Sequence, residues 1–230
     1  MSDQYLKVCD TLKRLRNEVQ SVLANWALFE NANGYPTGNR RDKLRQSMNE
    51  NYESNVFARI RNLIERDTIL TLHRMIDHAD SGKKSNVQSL ARVKQFLDQK
   101  DCIELLVSKA RKWNAGLGLE AYNEKLVRSL FKEVLPRLRE NKGGSIRNVG
   151  VIREKITNLR NSELAHSLEG KTTDLPRLFD VRDGVVLTTI LVKKCSLLIE
   201  GFDWDPKYIW QESLKNAQQF WDRFQEGFDN

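Results

Sequence analysis

The chain has 230 residues, 40% of them hydrophobic and 30% charged, and carries 38 Lys and Arg against 31 Asp and Glu, a formal charge of +7. With a mean hydropathy of −0.59 and a pI of about 9.3, it reads as a charge-rich globular chain long enough to bury a core. Disordered, collagen-like and membrane-spanning classes are excluded. The most apolar run, Val185 to Val192, falls far short of the ~20 residues that cross a bilayer. Asp3, Lys7, Asp10 and Lys13 interrupt the first thirty residues, so no signal peptide, no membrane and a cytoplasmic location are expected. Cys9, Cys102 and Cys195 are widely spaced and odd in number. They read as reduced thiols packed as small apolar groups. The basic balance favours an anionic partner such as RNA or DNA.

Apolar spacing is mostly three and four throughout, which predicts an all-α chain. A first helix spans about Asp3 to Asn31, with Leu6, Leu12, Leu15, Val19, Val22 and Leu23 as its stripe. Asn33-Gly34-Tyr35-Pro36-Thr37-Gly38 stops it. A second helical stretch covers about Arg41 to His78. Its later part (Phe57, Ile60, Leu63, Ile64 and Ile69 to Ile76) is apolar on several faces and therefore expected to be central. Ser85 or Asn86 can cap a helix running to about Asp98, and another spans Asp101 to Trp113. Leu119 to Glu140 follows, with Pro136 near its end. Asn141-Lys142-Gly143-Gly144 is a strong break, and Ser145 is a plausible cap for a helix from Ile146 to about Leu168. A loop is expected over Gly170 to Asp183, then an apolar helix to Glu200. A last helix starts at Asp205-Pro206 and carries Tyr208, Trp210, Phe220, Trp221, Phe224 and Phe228. Those aromatics read first as a packing face and second as a partner surface.

The most informative segment is Leu159-Arg160-Asn161-Ser162-Glu163-Leu164-Ala165-His166-Ser167. On a helical wheel Ile156, Leu159, Glu163 and His166 fall within about 40° of Ile152. Two ionisable groups thus occupy positions that the pattern reserves for burial. Unpaired, they would cost roughly several kcal/mol. Either Glu163 and His166 form a satisfied core pair, or this end of the helix lines a cleft or interface. Arg160 sits about 120° from His166 around an ideal helix, so a kink, a long side chain or a second subunit is needed for the two to act together.

Arg160-Asn161 followed by His166 resembles the motif of the HEPN superfamily (higher eukaryotes and prokaryotes nucleotide-binding). Asp67 to Asp77, followed by Ser85-Asn86-Val87-Gln88-Ser89-Leu90, is similar to the early core helix and turn of abortive-infection U-type HEPN-like proteins. The resemblance spans about Asp3 to Glu200. It implies a single all-α domain over residues 1–230, a HEPN-like helical bundle with its core at about 53–200 and extra N- and C-terminal helices. It further implies a metal-independent endoribonuclease, acting in phage defence or as a toxin, and working as a homodimer whose motifs face each other across the interface. His166 would be the general acid or base for attack of the RNA 2′-OH on the adjacent phosphate. Arg160 would hold that phosphate, and Asn161 would orient the phosphate or the arginine. Our own reading of the spacing adds Glu163, and beside it Ser162, as supporting residues that set the state of His166. No cofactor or metal is expected, and a cognate antitoxin or inhibitor is an implied partner. HEPN-like domains also include non-catalytic members, so a helical module binding RNA, a nucleotide or a partner protein is the alternative.

Other constellations carry less. Ser162 and His166 lack a nucleophile elbow and an oxyanion hole. His73, Asp77 and His78 form the only metal-like cluster; His73 and Asp77 share a face and His78 points elsewhere, so a structural hydrogen bond is favoured over a metal site. Arg74 reads as an intrahelix partner of Asp77 or His78, or as a brace for the motif helix. Gly116 and Gly118 are followed by no Lys-Ser, which argues against a phosphate loop. Of the basic clusters (Lys13–Arg16, Arg40–Arg45, Lys109–Lys112 and Arg147–Arg160), only the last leads to the motif, and Arg147 and Arg153 could track an RNA backbone there. Trp113 reads as core or rim packing before it reads as a base-stacking platform.

Overall fold

The computed structural model describes residues 2–33, 52–77, 89–114, 116–139, 149–169 and 178–226. Side chains are described from Asn55 on the second helix and through Asn161 on the sixth. The described residues form eight helices and no strand, as the three-and-four spacing predicts. These are α1 (Ser2–Ala32), α2 (Tyr52–Ile76), α3 (Leu90–Leu97), α4 (Cys102–Ala110), α5 (Glu120–Leu138), α6 (Val149–Glu169), α7 (Leu178–Glu200) and α8 (Pro206–Glu226). Ser85, Asn86, Ser145 and the Asn33–Gly38 stop beyond Asn33 lie outside the described residues. Ser89 stands at the N-cap position of α3 without a side-chain capping bond.

The contacts divide the chain into two compact units, Met1–Val19 with Leu72–Trp204 and Gln20–Thr71 with Asp205–Asn230. In the first, α5 is the hub and packs against α3, α4, α6 and α7. Its buried face is Val127, Leu130, Val134, Leu135 and Leu138, a three-and-four stripe. Pro136 lies in its last turn, where its missing N–H removes a hydrogen bond to the preceding turn and its ring disfavours continuing the helix. The helix ends two residues later, with Arg139 extended at φ −78°, ψ 141°. On α1 the buried positions are Val8, Leu12, Leu15 and Val19. Leu6 does not belong to the stripe, because it is 60% exposed; it falls two residues before Val8, on the other side of the helix. Burial pushes the thiols of Cys102 and Cys195 up to about 12, and all three cysteines are free.

The loop expected over Gly170 to Asp183 is shorter than the sequence suggests, because α7 begins at Leu178. Asp180 sits in its first turn, where a carboxylate complements the exposed N–H groups. Lys155 of α6 pairs with it. Val181 and Val185 then continue the buried face. The glycine that had suggested a helix start, Gly184, serves instead as a close-approach point inside α7. A Cβ there would stand 3.2 Å from Leu72 Cδ1 and 3.5 Å from both Ile152 Cγ2 and Ile156 Cδ1. At the other end of α7, Gly201 adopts φ +70°, and a Cβ would lie 2.5 Å from Trp113 Cε2. Only glycine fits there, and Trp113 is a packing residue, the first of its two readings.

In the second unit, the aromatic face of α8 packs in its expected sense. Trp221 is fully buried, meets Phe57 edge to face at 5.2 Å and donates its indole N–H to Leu28 O at 2.9 Å. Asn25 donates to Asp67 at 2.7 Å. Tyr208 and Phe220 stay exposed. The expectation of a central, many-sided α2 holds only for its end: full burial begins at Thr68, and Leu63 is 64% exposed.

Candidate functional site

The site is built on α6 where it faces the end of α2. Ile152, Ile156 and Leu159 are buried, so the apolar half of the predicted wheel is correct. Leu72 and Ile156 both lie against Gly184. One residue beyond Leu72 is His73, and one turn beyond Ile156 is Arg160. The tight packing at Gly184 therefore brings these two polar groups to the same place. Arg160 Nη1 donates to His73 Nε2 at 3.2 Å, and Nη2 donates to Asn161 Oδ1 at 3.1 Å. Nε of Arg160 is buried and has no hydrogen-bond partner. No carboxylate pairs with this guanidinium among the described residues.

His73 is buried, and Asp77 Oδ2 stands 3.9 Å from its Nδ1, one helical turn on. The arginine can only donate, so Nε2 must offer its lone pair and the ring proton belongs on Nδ1, toward Asp77. The imidazole is therefore neutral. Burial is the main force holding its pKa below the usual histidine value. Asp77 pulls in the opposite direction, and the Arg160 cation pushes it down further.

Of the residues singled out in the sequence, Arg160 and Asn161 are thus bonded to each other, the guanidinium half-buried and the amide exposed. Arg153 is half-buried on the same helix. The backbone of α6 is helical through Ser162, Glu163 and His166, whose side chains lie outside the described residues. Over that span an unbroken helix puts residue 166 about 9 Å along the axis from residue 160, and about 120° around it. Arg147 and His78 also lie outside the described residues. Arg74 Nη2 donates to Glu18 of α1 at 3.3 Å. A contact from this stretch of α2 to α6 comes from its neighbour His73, for which the sequence had favoured a structural hydrogen bond over a metal-like role. Among the described residues no group of three or more His, Cys, Asp or Glu is arranged to hold a metal. In the Lys109–Lys112 cluster, Lys109 lies over the Tyr5 ring at 3.9 Å and Arg111 pairs with Glu124 at 2.6 Å. Both are engaged within the fold, whereas Nε of Arg160 is left without a hydrogen-bond partner.

An all-α chain with an arginine-led polar motif on a late helix is what HEPN-type proteins share, and the family comparison assigns the chain to that class. The model of the AbiU2 family of HEPN proteins matches residues 5–183, a span that contains His73, Arg160, Asn161 and His166. The chain belongs to this family of HEPN-type abortive-infection proteins. The match ends within α7, short of the Glu200 limit expected from the resemblance. No curated protein and no solved structure matches the chain. No helix among the described residues is long and apolar enough to cross a membrane.

Proposed function

We propose that the protein is a metal-independent endoribonuclease that cuts cellular RNA in the cytoplasm during abortive infection, as a toxin in phage defence. The observation that carries this reading is the state of Arg160. Among the described residues its partners are an imidazole and an amide, both uncharged, and no carboxylate pairs with it. A guanidinium held by neutral acceptors keeps its full positive charge for an incoming phosphate oxygen, which the fork geometry suits. The chain's net charge of +7 favours encounter with RNA, and Arg147 and Arg153 are its candidate backbone contacts.

In this mechanism the ribose 2′-OH attacks the adjacent phosphorus. Its proton passes to a histidine base, the P–O5′ bond breaks, and a protonated histidine supplies the proton of the leaving 5′-OH. The products are a 2′,3′-cyclic phosphate and a 5′-hydroxyl end. His166 fills both roles only if two copies face each other, so the active form is a homodimer with one His166 as base and the other as acid. Arg160 stabilises the charge that grows on the phosphate oxygens, and Asn161 fixes the plane of its fork. Glu163, with Ser162 beside it, orients His166. DNA resists cleavage because it lacks the nucleophile. A protein with this activity needs restraint in the uninfected cell, which a cognate inhibitor would supply.

The test is cleavage of total RNA in EDTA by the wild type and His166→Ala, with the fragment ends analysed. Cyclic phosphate ends from the wild type alone are the expected result. Salt-sensitive RNA binding without any product would replace this reading with a non-catalytic binding module.

A further inference from the structure

Resting on the ribonuclease reading, we infer that His73 is a positioning residue of the same site, fixing the orientation of the Arg160 fork through a neutral acceptor that leaves its charge for phosphate. The family motif contains no such residue, and the sequence alone offers His73 only as a core or metal-like histidine. Three observations support the role. His73 Nε2 is the only interhelical acceptor for Arg160 among the described residues, at 3.2 Å. His73 is buried on α2, so its ring has little freedom to follow a mobile arginine. The two helices pack closely beside this contact, since a Cβ at Gly184 would stand 3.2 Å from Leu72 Cδ1 and 3.5 Å from Ile156 Cδ1.

A histidine placed only for stability would not face a cation. The arginine lowers the basicity of the imidazole, and the imidazole does nothing to neutralise the arginine. A carboxylate at residue 73 would stabilise a buried guanidinium better, but it would also cancel the charge that a phosphate needs. A neutral acceptor fixes direction and leaves charge. The arrangement also contains a switch. Once His73 takes up a proton, both ring nitrogens carry hydrogen, and Nε2 can no longer accept from Arg160. Asp77, just past the end of α2, and Arg160 on α6 are the charged groups acting on His73 among the described residues. Asp77 favours protonation and Arg160 opposes it. The fork is therefore released in acid, and an acid limb of activity should contain the proton of His73 in addition to that of His166.

Two readouts test this. The first is cleavage by the wild type, His73→Ala and His73→Gln. His73→Ala should lose about ten- to a hundredfold in kcat with little change in KM, the range of a hydrogen bond to a charged group. His73→Gln, whose side-chain oxygen accepts but does not titrate, should recover most of that loss at neutral pH. Its acid limb should fall with one proton where that of the wild type falls with two. Wild-type kcat in a folded His73→Ala protein, or an equally steep acid limb in His73→Gln, would overturn the inference.

The second readout needs neither activity nor a change at His73. Imidazole nitrogen NMR of the whole protein, its signals assigned by single histidine substitutions, should show the Nδ1–H form at residue 73. Arg160→Ala should then raise the pH at which that ring titrates. An unchanged titration would overturn the inference even if the enzyme cleaves RNA. If the wild type cleaves nothing, the ribonuclease reading fails alone. A raised titration would then retain His73 as the residue that positions Arg160 in an anion-binding site.

Discussion

Two arginines of the same compact unit, Arg16 on α1 and Arg160 on α6, are treated in opposite ways. Arg16 is closed on every side. It donates to Ser196 Oγ at 2.9 Å, pairs through both terminal nitrogens with Glu200 and lies over the Phe202 ring at 5.1 Å. Arg160 has one imidazole, one amide and a buried, unpaired Nε. Both are shielded from water, so both have lost hydration. Only Arg16 is compensated by a carboxylate. The first holds α7 to α1, and under the proposed function the second receives charge from outside the chain. A half-buried cation with no carboxylate partner among the described residues is a poor device for stability and a good one for binding an anion.

Substitutions should separate the two. Arg160→Ala is expected to have the largest effect, about 10²–10³-fold on RNA cleavage, with a melting temperature equal to or above that of the wild type. If it unfolded the protein instead, the contrast would collapse. Arg16→Ala should leave cleavage per folded molecule unchanged but destabilise by about 1–3 kcal/mol in chemical denaturation. Its partner Glu200, only 17% exposed at the side chain, would be left without its cation.

A smaller effect should appear on acidification. The pKa of His73 is lower in the folded protein than in the unfolded chain, so the unfolded state takes up this proton first. The contribution of the neutral imidazole is complete above about pH 6.5. It declines as pH falls from there to the native value. Denaturation curves at pH 7.5 and 5.5 should therefore show a larger loss in the wild type than in His73→Gln. The smallest effect is expected at Arg153. Arg153→Ala should weaken RNA binding modestly and reduce the slope of log affinity against log salt by about 0.7, one contact to single-stranded RNA. An unchanged slope would take Arg153 out of the RNA path.

Helices are legible in this sequence because three-and-four spacing is a local property. α1 and α5 begin and end within two residues of where the pattern sets them, and α8 begins at the proline expected to start it. Leu6 and Leu63 were misread because hydrophobic residues remain exposed wherever a helix face has no neighbour. The early start of α7 was missed because Gly184 looks like a break in sequence, whereas its lack of a side chain serves interhelical packing. Arg160, Asn161 and His166 stand out through their spacing. The role of His73 was hidden, since residues 73 and 160 are 87 positions apart and neither is unusual on its own helix.

The sequence by itself determined the all-α class, the order of the helices, the buried stripe of α6 and a motif that marks the HEPN-type family. Those features follow from the periodicity of one chain segment at a time. Only the tertiary structure decided which arginine would be neutralised and which left open. That choice depends on what a second helix offers at the point of contact. α7 presents a carboxylate to Arg16, and α2, drawn in close by Gly184, presents an imidazole to Arg160.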